Sequence, residues 1–251
     1  MAFSRARDLA AAAAIAAALV GNACNRADTS AAPVTTTSPA GTSVAPSAAA
    51  AKARDHALLR IVDAFPSGSN LALFAGDLIL FESVGFKSVS AYRALDGKRY
   101  AFALRPTGAP NAKPLSNNTE DVNDGGYYTA FAIPGDGDEP RLRIVSDDLT
   151  QPASGHARLR VVHAGIDAGA VDVRAGAGAD ALFGAVDYHA VTPYRDVSAM
   201  KGAMQISIKD SGTAAATLPD AHLEAGRYYT LVIVGRAPQL DAFLIEDALT
   251  P

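Results

Sequence analysis

Five histidines, one cysteine and a modest set of carboxylates are the side chains of this 251-residue chain from which acid–base, nucleophilic or metal chemistry would have to be built. In the second half, His163, His189 and His222 are the imidazoles, with Asp167 and Asp172 as nearby carboxylates. No H-x-H or H-x-x-x-H pair exists to present two imidazoles on one face of a strand or helix. His163 shares strand parity with Leu159 and Val161, which sets it at the inward rim of a sheet, and its counterpart in the first half is Asp63. A polar group that closes the end of a core by bonding loop backbone suits both positions. His163, Asp167, Asp172 and Asp63 are therefore the possible ligand or structural polar positions, with no catalytic or metal-binding set among them. His56 and His156 precede strand-like runs and are expected to be solvated.

Other motifs fall short of a site. Gly176, Gly178 and Ala181 have dinucleotide-loop spacing with Asp196 beyond them, but no helix pattern follows, so no cofactor is expected. Asp121, Asn123 and Asp124 form one acidic loop, and Asp136, Asp138 and Glu139 another. Neither has the ligand ladder and terminal glutamate of an EF-hand loop, so acidic turn residues facing water are expected, with a weak extracellular calcium site as the alternative. No serine sits in a G-x-S-x-G elbow. Adjacent strand residues point to opposite faces, so Tyr127 and Tyr128, like Tyr228 and Tyr229, should place one ring in a core and one at the surface. A net charge of −4 without a basic run argues against nucleic acid.

The beginning of the chain concerns destination. Arg5 and Arg7 precede an apolar stretch over residues 9–20, too short for the roughly 20 residues of a membrane span and of the length of a signal-peptide core. Gly21, Asn22 and Ala23 follow, then Cys24, the only cysteine. This resembles a bacterial lipoprotein signal, in which that cysteine is acylated. It departs from the pattern in having Gly21, not leucine, three residues before the cysteine. Ordinary signal-peptidase cleavage after Ala23 is the alternative. With Asn25 and no aspartate after Cys24, a lipidated form is expected at the outer membrane; otherwise the protein is periplasmic or secreted. Residues 25–52 are Ala, Ser, Thr and Pro with hardly a large apolar side chain, the composition of a disordered tether with a mean reach of about 30 Å.

The rest is a repeat. HALLRIVDA at residues 56–64 matches HARLRVVHA at 156–164, GGYYTAFAIPG at 125–135 matches GRYYTLVIVG at 226–235, and RIVSDDLT at 143–150 matches FLIEDALT at 243–250. Three blocks in the same order describe two copies of one domain. Within each copy apolar residues alternate, as at Tyr100, Phe102 and Leu104 and at Met204, Ile206 and Ile208, and turn signals such as Asp96-Gly97 and Asp124-Gly125 separate the runs. About seven strands per copy predicts two tandem immunoglobulin-like or transthyretin-like antiparallel β-sandwiches, an all-β fold. The expected division is a signal peptide over 1–23, the cysteine and tether over 24–55, and repeats over 56–150 and 156–251, the second being of a size to fold alone.

ARLRVVHAGIDAGAVDVRAG at residues 157–176 and AGRYYTLVIVG at 225–235 resemble the opening and closing strands of the bacterial domain of unknown function 4397. The likeness covers the second copy and, more weakly, the first. It implies an extracytoplasmic β domain, frequently tandem or membrane-attached, with no established catalytic activity. The function expected is a non-catalytic envelope module that binds a protein or glycan or acts as a spacer, attached to the membrane through its N-terminal lipid. A metal-dependent or hydrolytic enzyme on a β-sandwich is the alternative.

Overall fold

The structure, a computed structural model, describes residues 55–247 apart from 138, 212 and 213. The expected signal peptide, Cys24, nearly all of the tether, Asp138 and the last four residues lie outside the described residues. Sixteen strands and no helix are assigned among the described residues. The first repeat holds β1 (Ala57–Asp63), β2 (Leu71–Ala75), β3 (Leu78–Val84), β4 (Arg93–Leu95), β5 (Arg99–Pro106), β6 (Ser116–Asp121), β7 (Tyr127–Pro134) and β8 (Pro140–Ser146). The second holds β9 (His156–His163), β10 (Val171–Arg174), β11 (Ala181–Val186), β12 (Arg195–Ser198), β13 (Met200–Ile208), β14 (Ala214–Leu223), β15 (Tyr228–Arg236) and β16 (Gln239–Glu246). The count is thus eight strands per repeat where the sequence suggests about seven. Strands as short as the three residues of β4 carry no alternation of their own.

In each repeat two four-stranded sheets form a sandwich. The sheets run β4-β1-β7-β8 and β3-β2-β5-β6 in the first repeat, and β12-β9-β15-β16 and β11-β10-β13-β14 in the second. β1 pairs with β7, and β9 with β15, in parallel; every other pairing is antiparallel. Alternation fills the interiors: Leu59, Ile61, Leu73, Phe102 and Leu104 in one, Leu159, Val161, Val173, Ile206 and Leu231 in the other. At the edge, β6 (SNNTED) alternates half-buried and exposed polar residues, which blunts it against pairing with another strand.

β1 and β7 break the one-sided pattern, since every residue of both is buried. Their second face meets the corresponding face of the other repeat. Val62, Phe131 and Ile133 pack there against Val162, Val232 and Val234, and Leu58, Tyr92, Tyr127 and Leu149 against Tyr194 and Tyr228. Both members of each tyrosine pair are therefore buried, Tyr127 and Tyr128 at 2% and 6% exposure and Tyr228 and Tyr229 at 2% and 4%. The expected surface ring is covered by the neighbouring repeat.

A buried ion network crosses this interface with pseudo-twofold symmetry. Arg60 pairs with Asp247 of the second repeat, and Arg160 of the second with Asp147 of the first at 2.8 Å. Each guanidinium Nε also donates within its own repeat, Arg60 to Thr129 Oγ1 at 3.1 Å and Arg160 to Thr230 Oγ1 at 2.8 Å. Tyr92 donates to Asp147 at 2.9 Å and Tyr194 to Asp247 at 2.7 Å. Burial alone would oppose ionisation of Asp247, but Arg60 and Arg160 outweigh it and hold its carboxyl below the usual carboxylate range. Buried charges persist only when paired and hydrogen-bonded in this way. The sandwiches consequently share one interface core, which sets equivalent loops of both repeats side by side at the ends of the strands. An isolated second repeat would bare the valine face and strip Arg160 and Asp247 of their ion-pair partners, so its independence is not a matter of size alone.

Candidate functional site

The C-terminal ends of β1 and β9 and the β7–β8 and β15–β16 turns converge on a cleft of about 940 Å³. Phe65, Pro66 and Ser67 form one wall, and Ile166 and Asp167 occupy the corresponding loop of the second repeat. Pro134, Gly135 and Asp136 face Gly235 and Arg236, again equivalent turns of the two copies. Asp167 and Arg236 form an ion pair at the rim, and Arg141 holds Asp136 at 3.1 Å. The chain enters the described region at Asp55, next to the opposite end of β1, so the cleft and the entry point lie at opposite ends of that strand. Seven residues of strand separate them by roughly 20 Å.

Beside the largely buried Phe65, Tyr188 supplies the more accessible aromatic surface of the cleft. Its ring lies 3.7 Å from that of His189 and meets His163 edge-on at 5.8 Å. His189 takes a positive φ of 68° and its Nδ1 lies 3.2 Å from the Arg141 guanidinium. Burial, then the Arg141 charge, lowers its pKa. A half-buried tyrosine braced on two imidazoles is a fixed platform with an apolar body and a polar tip.

His163 is fully buried below this platform. The Gly165 N–H donates to its Nδ1 at 3.1 Å, which assigns the proton to Nε2, and Nε2 donates to the Gly169 carbonyl at 2.9 Å. Burial lowers its pKa, in keeping with a neutral ring. Asp63 is buried at the equivalent place, where its Oδ1 accepts from the Phe65 N–H at 2.9 Å. Both side chains thus serve the backbone two residues ahead.

Three of the four polar candidates gather at this end: Asp167 on the rim, His163 and Asp63 beneath the loops. Asp172 does not. It sits between the inward-facing Val171 and Val173 and so points to the outer face of its sheet, beside a cleft of about 470 Å³. There it accepts from the bulged Ala185 N–H at 2.8 Å and from Arg174 at 2.9 Å, and the Ala185 bond, ahead of Arg174, keeps its carboxyl low. In the acidic loops Asp121 pairs with Arg99 and Asp124 accepts from the Gly97 N–H. Among the described residues no group of three or more His, Cys, Asp or Glu could hold a metal ion. The 176–181 loop leads from β10 into strand β11, not into a helix. His56 is exposed and His156 half-buried.

No curated protein matches the chain. Among the solved structures that resemble it at a low level are two from bacterial proteins. The module CBMbc (family CBM26) of Eubacterium rectale Amy13K, in complex with maltoheptaose, has 12% identity and a TM-score of 0.24 over 77% of this chain and 97% of that one. The Bacillus anthracis TIE protein has 12% identity and a TM-score of 0.22 over 74% of this chain and 34% of that one. Neither carries a ligand or an activity over to this protein. The family model of the domain of unknown function DUF4397 matches residues 57–174 and 175–251, and the chain belongs to that family, in two tandem copies.

Proposed function

We propose that the protein is an exported, lipid-anchored, non-catalytic module that binds a glycan of the cell envelope in the cleft between its two repeats. The observation that carries this reading is the cleft itself, walled by equivalent loops of both copies and placed at the end of β1 remote from where the N-terminal segment joins. A tether ending in an acylated Cys24 would then present the cleft away from the membrane. Tyr188 offers a ring face to the apolar side of a sugar ring, while Asp136, Asp167 and Arg236 offer planar polar groups to its hydroxyls.

The test is binding of the mature chain from residue 24, carrying Cys24→Ala, to immobilised envelope polysaccharides, with Tyr188→Ala beside it. Retention that falls about fivefold or more in Tyr188→Ala is expected, since one stacked ring contributes on the order of 1 kcal/mol or more. Retention equal in both proteins would place the ligand elsewhere. Capture of an envelope protein with no polysaccharide bound would replace the glycan reading with a protein-binding one.

A further inference from the structure

In the two repeats the same strand end is built with different side chains, and only one of them is fully satisfied. The Asp63 N–H donates to the Ser88 carbonyl at 3.0 Å and its carbonyl accepts from Lys87 N at 2.7 Å. His163 does the same with Ala190 and His189, both at 2.9 Å. Each side chain then accepts from the backbone N–H two residues on. His163 has in addition a ring N–H, spent on the Gly169 carbonyl. Asp63 Oδ2 is buried with no hydrogen-bond partner. An ionised carboxylate has only acceptor sites, whereas the neutral acid has one O–H to donate, as His163 has one N–H.

We propose that Asp63 is a proton-controlled latch on the wall of the cleft: the turn between β1 and β2 packs over it while it is the neutral acid, and loss of its proton places an unpaired charge beneath that turn and opens it. The turn is the wall that Phe65, Pro66 and Ser67 give to the cleft, so the consequence for a ligand rests on the binding reading above, while the latch does not.

No counter-charge stabilises the ionised form. The turn from residue 64 to residue 70 contains no ionisable side chain. On β7 the partner of Asp63 is Ala132. In the segment from 85 to 88 the one charged residue, Lys87, gives its ammonium to Asp241 of β16. Burial therefore dominates, the Phe65 bond opposing it only in part, and raises the carboxyl to about 7. Because this value lies above that of the unfolded chain, the contribution to stability is complete in acid and is lost as pH rises to about 7.

The direct test is carbon-13 titration of the Asp63 carboxyl in the mature chain carrying Cys24→Ala, together with melting and hydrogen exchange of Asp63→Asn, whose amide keeps one acceptor and one donor. A midpoint between about 6 and 8 is expected against an ordinary value near 3.9. Between pH 5.5 and 8.5 the Asp63 protein should lose about 4–8 °C of melting temperature relative to Asp63→Asn. Amides 65–70 should exchange faster than in the variant at pH 8.5, and equally at pH 5.5. A midpoint below 5, or parallel melting curves with equal exchange, would overturn the latch. The titration stands even if Asp63→Asn does not fold, and no ligand enters any of these measurements, so a failed glycan assay leaves the latch intact and a failed latch leaves the cleft.

Discussion

Replacing Asp247 with alanine removes the carboxylate that joins the repeats at their most buried point. Its side chain is fully buried and accepts from Arg60, from Tyr194 at 2.7 Å and from Thr230 at 2.8 Å. Without it the Arg60 guanidinium, 3% exposed, keeps its bond to Thr129 but loses its counter-ion. Breaking one partner out of a buried pair costs about 3–5 kcal/mol. In a folded unit of this size each kcal/mol moves the melting temperature by about 2–4 °C, so a fall of roughly 6–20 °C is expected by calorimetry. The double variant Arg60→Met with Asp247→Leu should recover most of that loss, since it removes both charges and leaves apolar volume. The depressed Asp247 carboxyl also fixes the sign of the pH effect: its contribution is present above the ordinary carboxylate range and disappears as pH falls through the lower folded value. A fall of under 2 °C in Asp247→Ala, or a double variant as unstable as the sum of the singles, would refute the claim that this network locks the repeats.

Three further outcomes are expected. The fragment 156–251 should not be a stable monomer: it should be unfolded or, because the interface is pseudo-symmetric, should dimerise with Arg160 opposite the other copy's Asp247, and sedimentation showing a folded monomer would contradict this. His163→Ala leaves the Gly165 N–H and the Gly169 carbonyl unpaired, at about 1–3 kcal/mol each, so it should melt at least about 4 °C lower, whereas His163→Asn should lose less. Cys24→Ala should move the protein from the membrane to the soluble envelope fraction, and wild type and variant fractionating alike would remove lipidation from the account.

The repeat and the all-β character were legible because both are local: matched blocks and alternation survive in a single sequence. The burial of Tyr127 and Tyr228 was not, because parity says which residues share a face and not what covers it. A trace of the second core was nevertheless present. ALLRIVD in β1 and YYTAFAIP in β7 carry bulky residues at both parities, the mark of a strand buried on two sides, and Arg60 and Arg160 are the conspicuous charges within such runs. Asp147 and Asp247 stand at matched positions in the third block for the same reason. His163 and Asp63 were legible as a polar strand end, since their repeat positions coincide. Tyr188 was not, because its value as a platform comes from His163 across the sheet end and from Arg141 of the other repeat behind His189, contacts that no local pattern encodes. Asp172 was legible only as a polar candidate: its place outside the core between Val171 and Val173 and its bond to the bulged Ala185 N–H come from the structure.

The most direct test of the central claim is a nitrogen-15 amide spectrum of the mature chain carrying Cys24→Ala, recorded while an oligosaccharide of the retained envelope polysaccharide is added. The account predicts that shifts concentrate at residues 65–67, 134–137, 166–167, 188–189 and 235–236, the walls contributed by both repeats. Shifts confined to the outer face around Asp172, or to one repeat alone, would contradict it.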